Sequence, residues 1–135
     1  MSIDAEIGKV LTPVTMPLTR VELVRYAGAS GDFNPIHYND AAASALGLPG
    51  VIAHGMLTMG CALRVVTDWV EDPARVLSYS VRFTKPVVVP AVGAAVVEFT
   101  GEVTKLADGV ATVSLTATCG ADKVLGAATV EVRVD

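Results

Sequence analysis

The sequence predicts an α+β fold in which one long apolar helix packs on an antiparallel sheet. Helical and loop patterns fill residues 1–72, whereas residues 73–135 alternate apolar and polar side chains as half-buried strands do. Helices and strands that are segregated in this way favour α+β over alternating βαβ units. The length of 135 residues is near the commonest domain size, so we expect a single domain over residues 1–135.

The composition excludes several classes of protein. The chain is 52% apolar and only 18% charged, which excludes disorder and suggests that some apolar surface lies between subunits or lines a cavity. The net charge of −4 disfavours nucleic acid as a partner. Cys61 and Cys119 lack metal spacing and the N-terminus has no secretory signal pattern, so we expect free thiols and a cytoplasmic protein.

The region 41–63 carries no charged side chain and is long enough to cross a bilayer. Gly47, Pro49 and Gly50 interrupt it near the middle, which favours two buried segments joined by a turn and no membrane span.

The helical half begins with a short strand over residues 7–16, which two prolines confine to a sheet edge or a bulge. Thr19 and Glu22 have the spacing of a capping box, so a helix follows and ends by Gly31 at the latest.

A short helix over residues 40–46 fits between Asn39, which can cap it, and Gly47, which can stop it. The second long helix covers residues 55–70 and carries two apolar stripes at helical spacing. These stripes are Met56, Met59, Leu63, Val66 and Val70, and Leu57, Cys61, Val65 and Trp69. A helix that is apolar on most sides is typically buried.

Four alternating segments predict the strands of the second half: residues 77–84, 94–105, 110–119 and 123–134. The dipeptide Asp108-Gly109 lies between the second and third of them and is a strong hairpin signal.

Polar residues without an evident structural need cluster in residues 31–37. Asp32 and Asn34 are turn formers, and Pro35 biases Asn34 towards an extended backbone. Such a loop can bring Asp32 and His37 onto one water as an acid/base pair. A capped loop explains either residue alone, but the pair is harder to explain in this way because the chain has only two histidines.

The second histidine, His54, precedes Gly55 at the predicted start of the apolar helix. A helix N-terminus offers unpaired N–H groups, and glycine lets a carbonyl oxygen approach them, as an oxyanion hole requires. Packing or capping explains Gly55 equally well when it is taken alone.

Together with Tyr26, residues 31–37 resemble the hydratase 2 motif of MaoC-like (R)-specific enoyl hydratases and dehydratases. Residues 53–56 and 82–87 are similar to two further motifs of that family, in the same order. The resemblance is closest to the B-type catalytic subunit of the two-chain 3-hydroxyacyl-ACP dehydratase.

The resemblance implies a hot-dog fold, a homodimer or a heterodimer with a second hot-dog subunit, and reversible hydration of a trans-2-enoyl thioester to an (R)-3-hydroxyacyl thioester. It implies catalytic roles for Asp32, His37, Asn34 and Gly55, and substrate contacts for His54, Met56, Phe33 and Pro35. It implies no cofactor beyond the CoA or carrier-protein phosphopantetheine that bears the substrate. A metal is disfavoured, since the two histidines offer too few ligands.

Two alternatives stay open: a subunit of a two-chain dehydratase that is inactive alone, and a hot-dog acyl-thioesterase. The acyl chain length, the physiological direction and the choice between CoA and carrier protein are also open. A carrier protein would need a basic patch, for which the candidates are Arg64, Arg75, Arg82, Lys85, Lys123 and Arg133.

Overall fold

A computed structural model describes residues 2–135 and contains one antiparallel sheet with three α-helices. The strands are β1 (Val14–Leu18), β2 (Val76–Phe83), β3 (Ala95–Ala107), β4 (Val110–Cys119), β5 (Asp122–Lys123) and β6 (Leu125–Arg133). Their order in the sheet is β1-β3-β4-β6-β2, and β5 pairs with β4. The helices are α1 (Arg20–Ser30), α2 (Asp40–Ala45) and α3 (Gly55–Val70), with 3₁₀ turns at Pro35–His37 and Pro73–Arg75.

The core lies between α3 and one face of the sheet. Ala62, Val65 and Val66 of α3 are almost fully buried, as are Phe99 and Val113 of the sheet. The helix approaches β3 closely: a Cβ at Gly101 would lie 3.0 Å from the Val65 side chain. The predicted packing of a long helix on an antiparallel sheet is therefore confirmed.

The alternation of β3 and β4 follows the sequence pattern, since their predicted inward residues face the core. The hairpin between them is also confirmed. Asp108 and Gly109 both have positive φ, 53° and 73°, and Ala107 pairs with Val110. This is the backbone that a two-residue primed turn requires.

Three predicted elements need correction. The first strand begins at Val14 rather than residue 7, although it does lie at a sheet edge. The last strand is divided at Val124, because residues 122–123 pair with β4 as β5 and β6 begins at Leu125. Within β6, Ala127 has a φ of 46° and the pairing with β2 is irregular. Half of the apolar face predicted for β2 is exposed: Leu77 and Phe83 are 47% and 55% accessible, and β2 is the strand at the other edge of the sheet.

The helix α3 is likewise less buried than its composition predicts. Its buried side faces the sheet, whereas Met56, Gly60 and Arg64 are exposed. The core of this chain therefore does not absorb all of its large apolar side chains, and some of those left exposed lie on α3 and β2.

The helix ends follow local sequence signals. The Glu22 carboxylate accepts hydrogen bonds from the backbone N–H of Thr19, at 2.7 Å, and from its hydroxyl. These bonds hold the pKa of Glu22 below its usual 4.5. The helix α1 stops at Gly31, whose φ is 77° and whose N–H donates to the carbonyl of Ala27.

The uncharged region 41–63 is divided between α2 and α3, joined by residues 46–54. Among residues 2–135, none of the helices has both the length and the hydropathy that a membrane crossing needs.

Candidate active site

Two Asx turns shape the loop after α1. Asp32 Oδ1 accepts from the N–H of Asn34 at 3.1 Å, and Asn34 Oδ1 accepts from the N–H of Ile36 at 3.3 Å. Asp and Asn form such turns because their short side chains reach the backbone two residues ahead. The second turn leads into the 3₁₀ turn that carries His37, so local sequence determines where this imidazole lies.

The hydrogen bonds of His37 define its tautomer. Its Nδ1 lies 2.7 Å from the carbonyl oxygen of Ile52. A carbonyl can only accept, so Nδ1 carries a proton and, in the neutral imidazole, Nε2 presents a lone pair. That Nε2 lies 3.8 Å from Asp32 Oδ2, which is too long for a direct hydrogen bond. The two groups can hold a water between them. His37 is buried, whereas the side chain of Asp32 is half-exposed.

The N-terminus of α3 lies beside this pair. Gly55 is the first residue of the helix, so its N–H has no intrahelical acceptor and lies at the positive end of the helix dipole. The segment before it is anchored to the chain after β2, because the N–H of Ala53 donates to the carbonyl of Val87 at 2.9 Å. Gly55 also packs closely on Phe83: a Cβ there would lie 2.9 Å from the phenyl ring.

A pocket of about 320 Å³ joins these elements. Asp32 and His37 line it together with the start of α3 and the end of β2. Its other lining residues are Ile52, Ala53, His54, Gly55, Met56, Thr58, Phe83, Thr84, Lys85, Pro86, Val87, Val124 and Leu125. The lining is mostly apolar, with the acid/base pair and a helix N-terminus as its polar features. An apolar pocket with a few converging polar groups is the usual form of a small-molecule site.

Five of the eight predicted site residues line the pocket: Asp32, His37, His54, Gly55 and Met56. The other three, Phe33, Asn34 and Pro35, are not among the residues that line it. Phe33 is 60% exposed, and Pro35 begins the 3₁₀ turn that follows the two Asx turns. The Asn34 side chain is occupied as the cap of that turn, so it supports His37 through the backbone.

Sequence reasoning did not identify Thr58 or Lys85 as pocket residues. Thr58 is 3% exposed and lies one turn after Gly55. The signal available in the sequence was a polar residue in the first turn of an otherwise apolar helix. Lys85 lies within the third motif, which reaches the pocket through contacts distant in sequence: Phe83 pairs with Leu125, and Val87 accepts from the N–H of Ala53.

The structure also assembles more potential metal ligands than the sequence suggested. Ligand atoms of Asp32, His37 and His54 lie within 4.8 Å of one another. However, the two imidazole rings are stacked, 3.8 Å apart and inclined by only 21°. Lone pairs of near-parallel rings do not converge on one point, and a tetrahedral ion needs convergent donors.

An antiparallel sheet packed on one long helix, with an acid/base pair beside the helix N-terminus, places the chain among hot-dog proteins with an enzyme-like pocket. Residues 3–120 match the family described as MaoC like domain. The chain therefore belongs to the MaoC-like family.

Individual relatives agree with this membership. The 3-hydroxyacyl-thioester dehydratase X of Mycobacterium tuberculosis is 47% identical over 74 residues, which are 55% of this chain and 25% of that protein. A solved MaoC-like dehydratase is 40% identical with a TM-score of 0.94, over 98% of this chain and 41% of that one. A chain of the ChsH1-ChsH2 complex from M. tuberculosis is 27% identical with a TM-score of 0.86, over 98% of this chain and 100% of that one. The chain thus spans about a quarter of the dehydratase X and less than half of the solved dehydratase.

Proposed function

We propose that this chain catalyses the reversible addition of water to a trans-2-enoyl thioester, which gives an (R)-3-hydroxyacyl thioester. The observation that carries the proposal is the separation of 3.8 Å between His37 Nε2 and Asp32 Oδ2 at the wall of an apolar pocket. That spacing suits one shared water, and the apolar walls suit an acyl chain. Membership of the MaoC-like family and the dehydratase named among its relatives support the same reaction.

In the proposed mechanism, Asp32 and His37 hold the water against C3 of the substrate. The unprotonated Nε2 of His37 accepts a proton as the water oxygen bonds to C3. The electrons of the C2–C3 double bond move towards the thioester carbonyl and form an enolate. A proton then returns from the pair to C2, so the net change is the addition of one water.

The N–H of Gly55 is the proposed donor to the enolate oxygen. It lies at the start of α3, within the pocket lining, and no side chain at that position obstructs an approaching carbonyl. In other enzymes, the loss of one such donor raises the barrier by about 3–4 kcal/mol.

The proposed carrier of the substrate is CoA or the phosphopantetheine of a carrier protein. Of the basic candidates, Lys85 lines the pocket, where its ammonium group lies 3.0 Å from Asp122. Arg64 pairs with Asp68 on α3, and Arg75 donates to carbonyls near the end of the chain. Lys85 is therefore the proposed contact for the carrier's phosphate groups.

We also propose a second hot-dog subunit, identical or different, on the exposed edge of the sheet. Leu77 and Phe83 of β2 and Met56 of α3 are each about half exposed, and the last two lie at the pocket. The two-chain complex named among the structural relatives supports such an assembly. The second candidate function is that of a dehydratase subunit that is inactive until it pairs with a second hot-dog chain.

The proposed reaction uses no cofactor beyond the carrier of the substrate, and the proposed compartment is the cytoplasm. The free thiols of Cys61 and Cys119 support a reducing compartment. Burial raises the pKa of both thiols, which makes them poor nucleophiles at neutral pH.

The test is hydration of crotonyl-CoA by the purified chain, with release of free CoA thiol measured in parallel. The proposal predicts loss of the enoyl thioester without thiol release. Thiol release would instead support the thioesterase alternative. Activity only after addition of a second hot-dog chain would support the two-subunit alternative.

A further inference from the structure

His54 lies beneath the proposed acid/base pair rather than among groups that face a substrate. Only 2% of the residue is exposed. Its ring lies between His37, stacked at 3.8 Å, and Tyr26, tilted at 4.8 Å. The ring borders the pocket, but this burial leaves little of it for a substrate to contact.

The hydrogen bonds of His54 define its tautomer. Its Nε2 lies 3.1 Å from the backbone carbonyl oxygen of Asp32, so Nε2 carries a proton and donates it. Among residues 2–135, its Nδ1 is the one buried side-chain nitrogen or oxygen that has no hydrogen-bond partner. A proton on that atom would be buried without an acceptor, so Nδ1 is the unprotonated nitrogen.

An unpartnered buried nitrogen is unfavourable for stability. A phenyl ring would fill the same space between Tyr26 and His37 without that penalty. Packing alone therefore does not explain an imidazole at this position, whereas the Nε2–H bond to Asp32 does.

We infer that His54 is a positioning residue, which holds the backbone of Asp32 by a hydrogen bond and the ring of His37 by stacking. It contacts both members of the pair and so maintains the separation of 3.8 Å between Nε2 of His37 and Oδ2 of Asp32. This inference rests on the proposed function and replaces the substrate contact that the family resemblance implies for His54.

Two variants separate the ring from the hydrogen bond. His54→Phe keeps a ring but removes the donor, whereas His54→Gln keeps an N–H at a similar distance from the backbone but removes the ring. For His54→Phe we expect the protein to stay folded. We expect its kcat for crotonyl-CoA to fall about tenfold to a hundredfold, because misplacement of a catalytic group by about 1 Å costs that much. Its KM should stay within about twofold of wild type. His54→Gln recovers part of the lost kcat.

Three results would overturn the inference. Wild-type kcat in a folded His54→Phe protein would show that the donor is not needed. A raised KM with unchanged kcat would make His54 a substrate-binding residue instead. A folded His54→Gln protein with wild-type kcat would show that the stacking on His37 is not needed.

A measurement on the wild-type protein keeps the inference testable even if the variants do not fold. Long-range ¹H–¹⁵N correlation spectra distinguish the two tautomers of each histidine. We expect a proton on Nε2 of His54 and on Nδ1 of His37, and the opposite tautomer of His54 would refute the inference. These spectra need no turnover. A chain with the expected tautomers but no hydratase activity would therefore contradict the proposed function and not the geometry of His54.

Discussion

Substitution of Gly55 by Ala tests the proposed oxyanion donor with little disturbance of the fold. The new Cβ would lie 2.9, 3.0 and 3.2 Å from three carbons of the Phe83 ring. Carbon atoms pack at about 3.5 Å or more, so the ring must move by roughly 0.6 Å. Phe83 is 55% exposed on an edge strand and can move at small cost. Alanine also has the higher helix propensity, by up to about 1 kcal/mol.

The free energy of unfolding of Gly55→Ala should therefore stay within about 1 kcal/mol of wild type. Its kcat with crotonyl-CoA should fall about a hundredfold to a thousandfold, because the methyl group and the displaced ring obstruct access to the N–H. Stopped-flow or steady-state loss of the enoyl absorbance measures the rate, and thermal unfolding measures the stability.

Gly60 provides a matched control on the same helix. It is exposed, and a Cβ there would have no neighbour within 4 Å. Gly60→Ala should raise the free energy of unfolding by roughly 0.5–1 kcal/mol and leave kcat unchanged. A Gly55→Ala protein with wild-type kcat would refute the assignment of the oxyanion donor.

Three further predictions concern other groups. Asp32→Asn and His37→Ala should each lower kcat by about a hundredfold to ten-thousandfold while the protein stays folded, and near-normal turnover by either would contradict the acid/base assignment. Lys85→Ala should raise the KM for crotonyl-CoA but not the KM for crotonyl-pantetheine, which lacks the phosphates. Arg64 lies outside the pocket lining, so Arg64→Ala should change neither KM value. The lowered pKa of Glu22 stabilises the fold above its unfolded value of 4.5, and this contribution is lost as the pH falls through the folded pKa. Melting temperatures from about pH 6 to pH 3 should therefore fall less in Glu22→Gln than in wild type, and equal slopes would contradict the effect of the cap.

Features that depend on neighbouring residues could be predicted from the sequence. The bounds of α3, residues 55–70, follow from an apolar helical pattern between a glycine and the Asp72-Pro73 stop. The β3–β4 hairpin follows from Asp108-Gly109 because few other dipeptides accept two positive φ angles. The proximity of Asp32 and His37 follows from turn formers spaced within one loop.

Features that depend on contacts distant in sequence could not be predicted. The stacking of His54 on His37 joins residues 17 positions apart, and no periodic pattern encodes it. The exposure of Phe83 depends on β2 lying at the sheet edge, which strand alternation alone does not determine. The motif pattern also could not show that Phe33 faces solvent, because the family resemblance supplies residue types without directions.

The stereochemistry of hydration in deuterium oxide tests the central claim most directly. Crotonyl-CoA would be incubated with the chain, alone and with any second hot-dog subunit that binds it, and the product examined by NMR and chiral analysis. Membership of the MaoC-like family supports an (R)-3-hydroxy thioester as the product. One water held by Asp32 and His37 predicts a single deuterium at C2, added to the same face as the hydroxyl. It also predicts that the product is lost with Asp32→Asn. An (S)-hydroxy product, free CoA thiol, or no hydration under either condition would contradict the account.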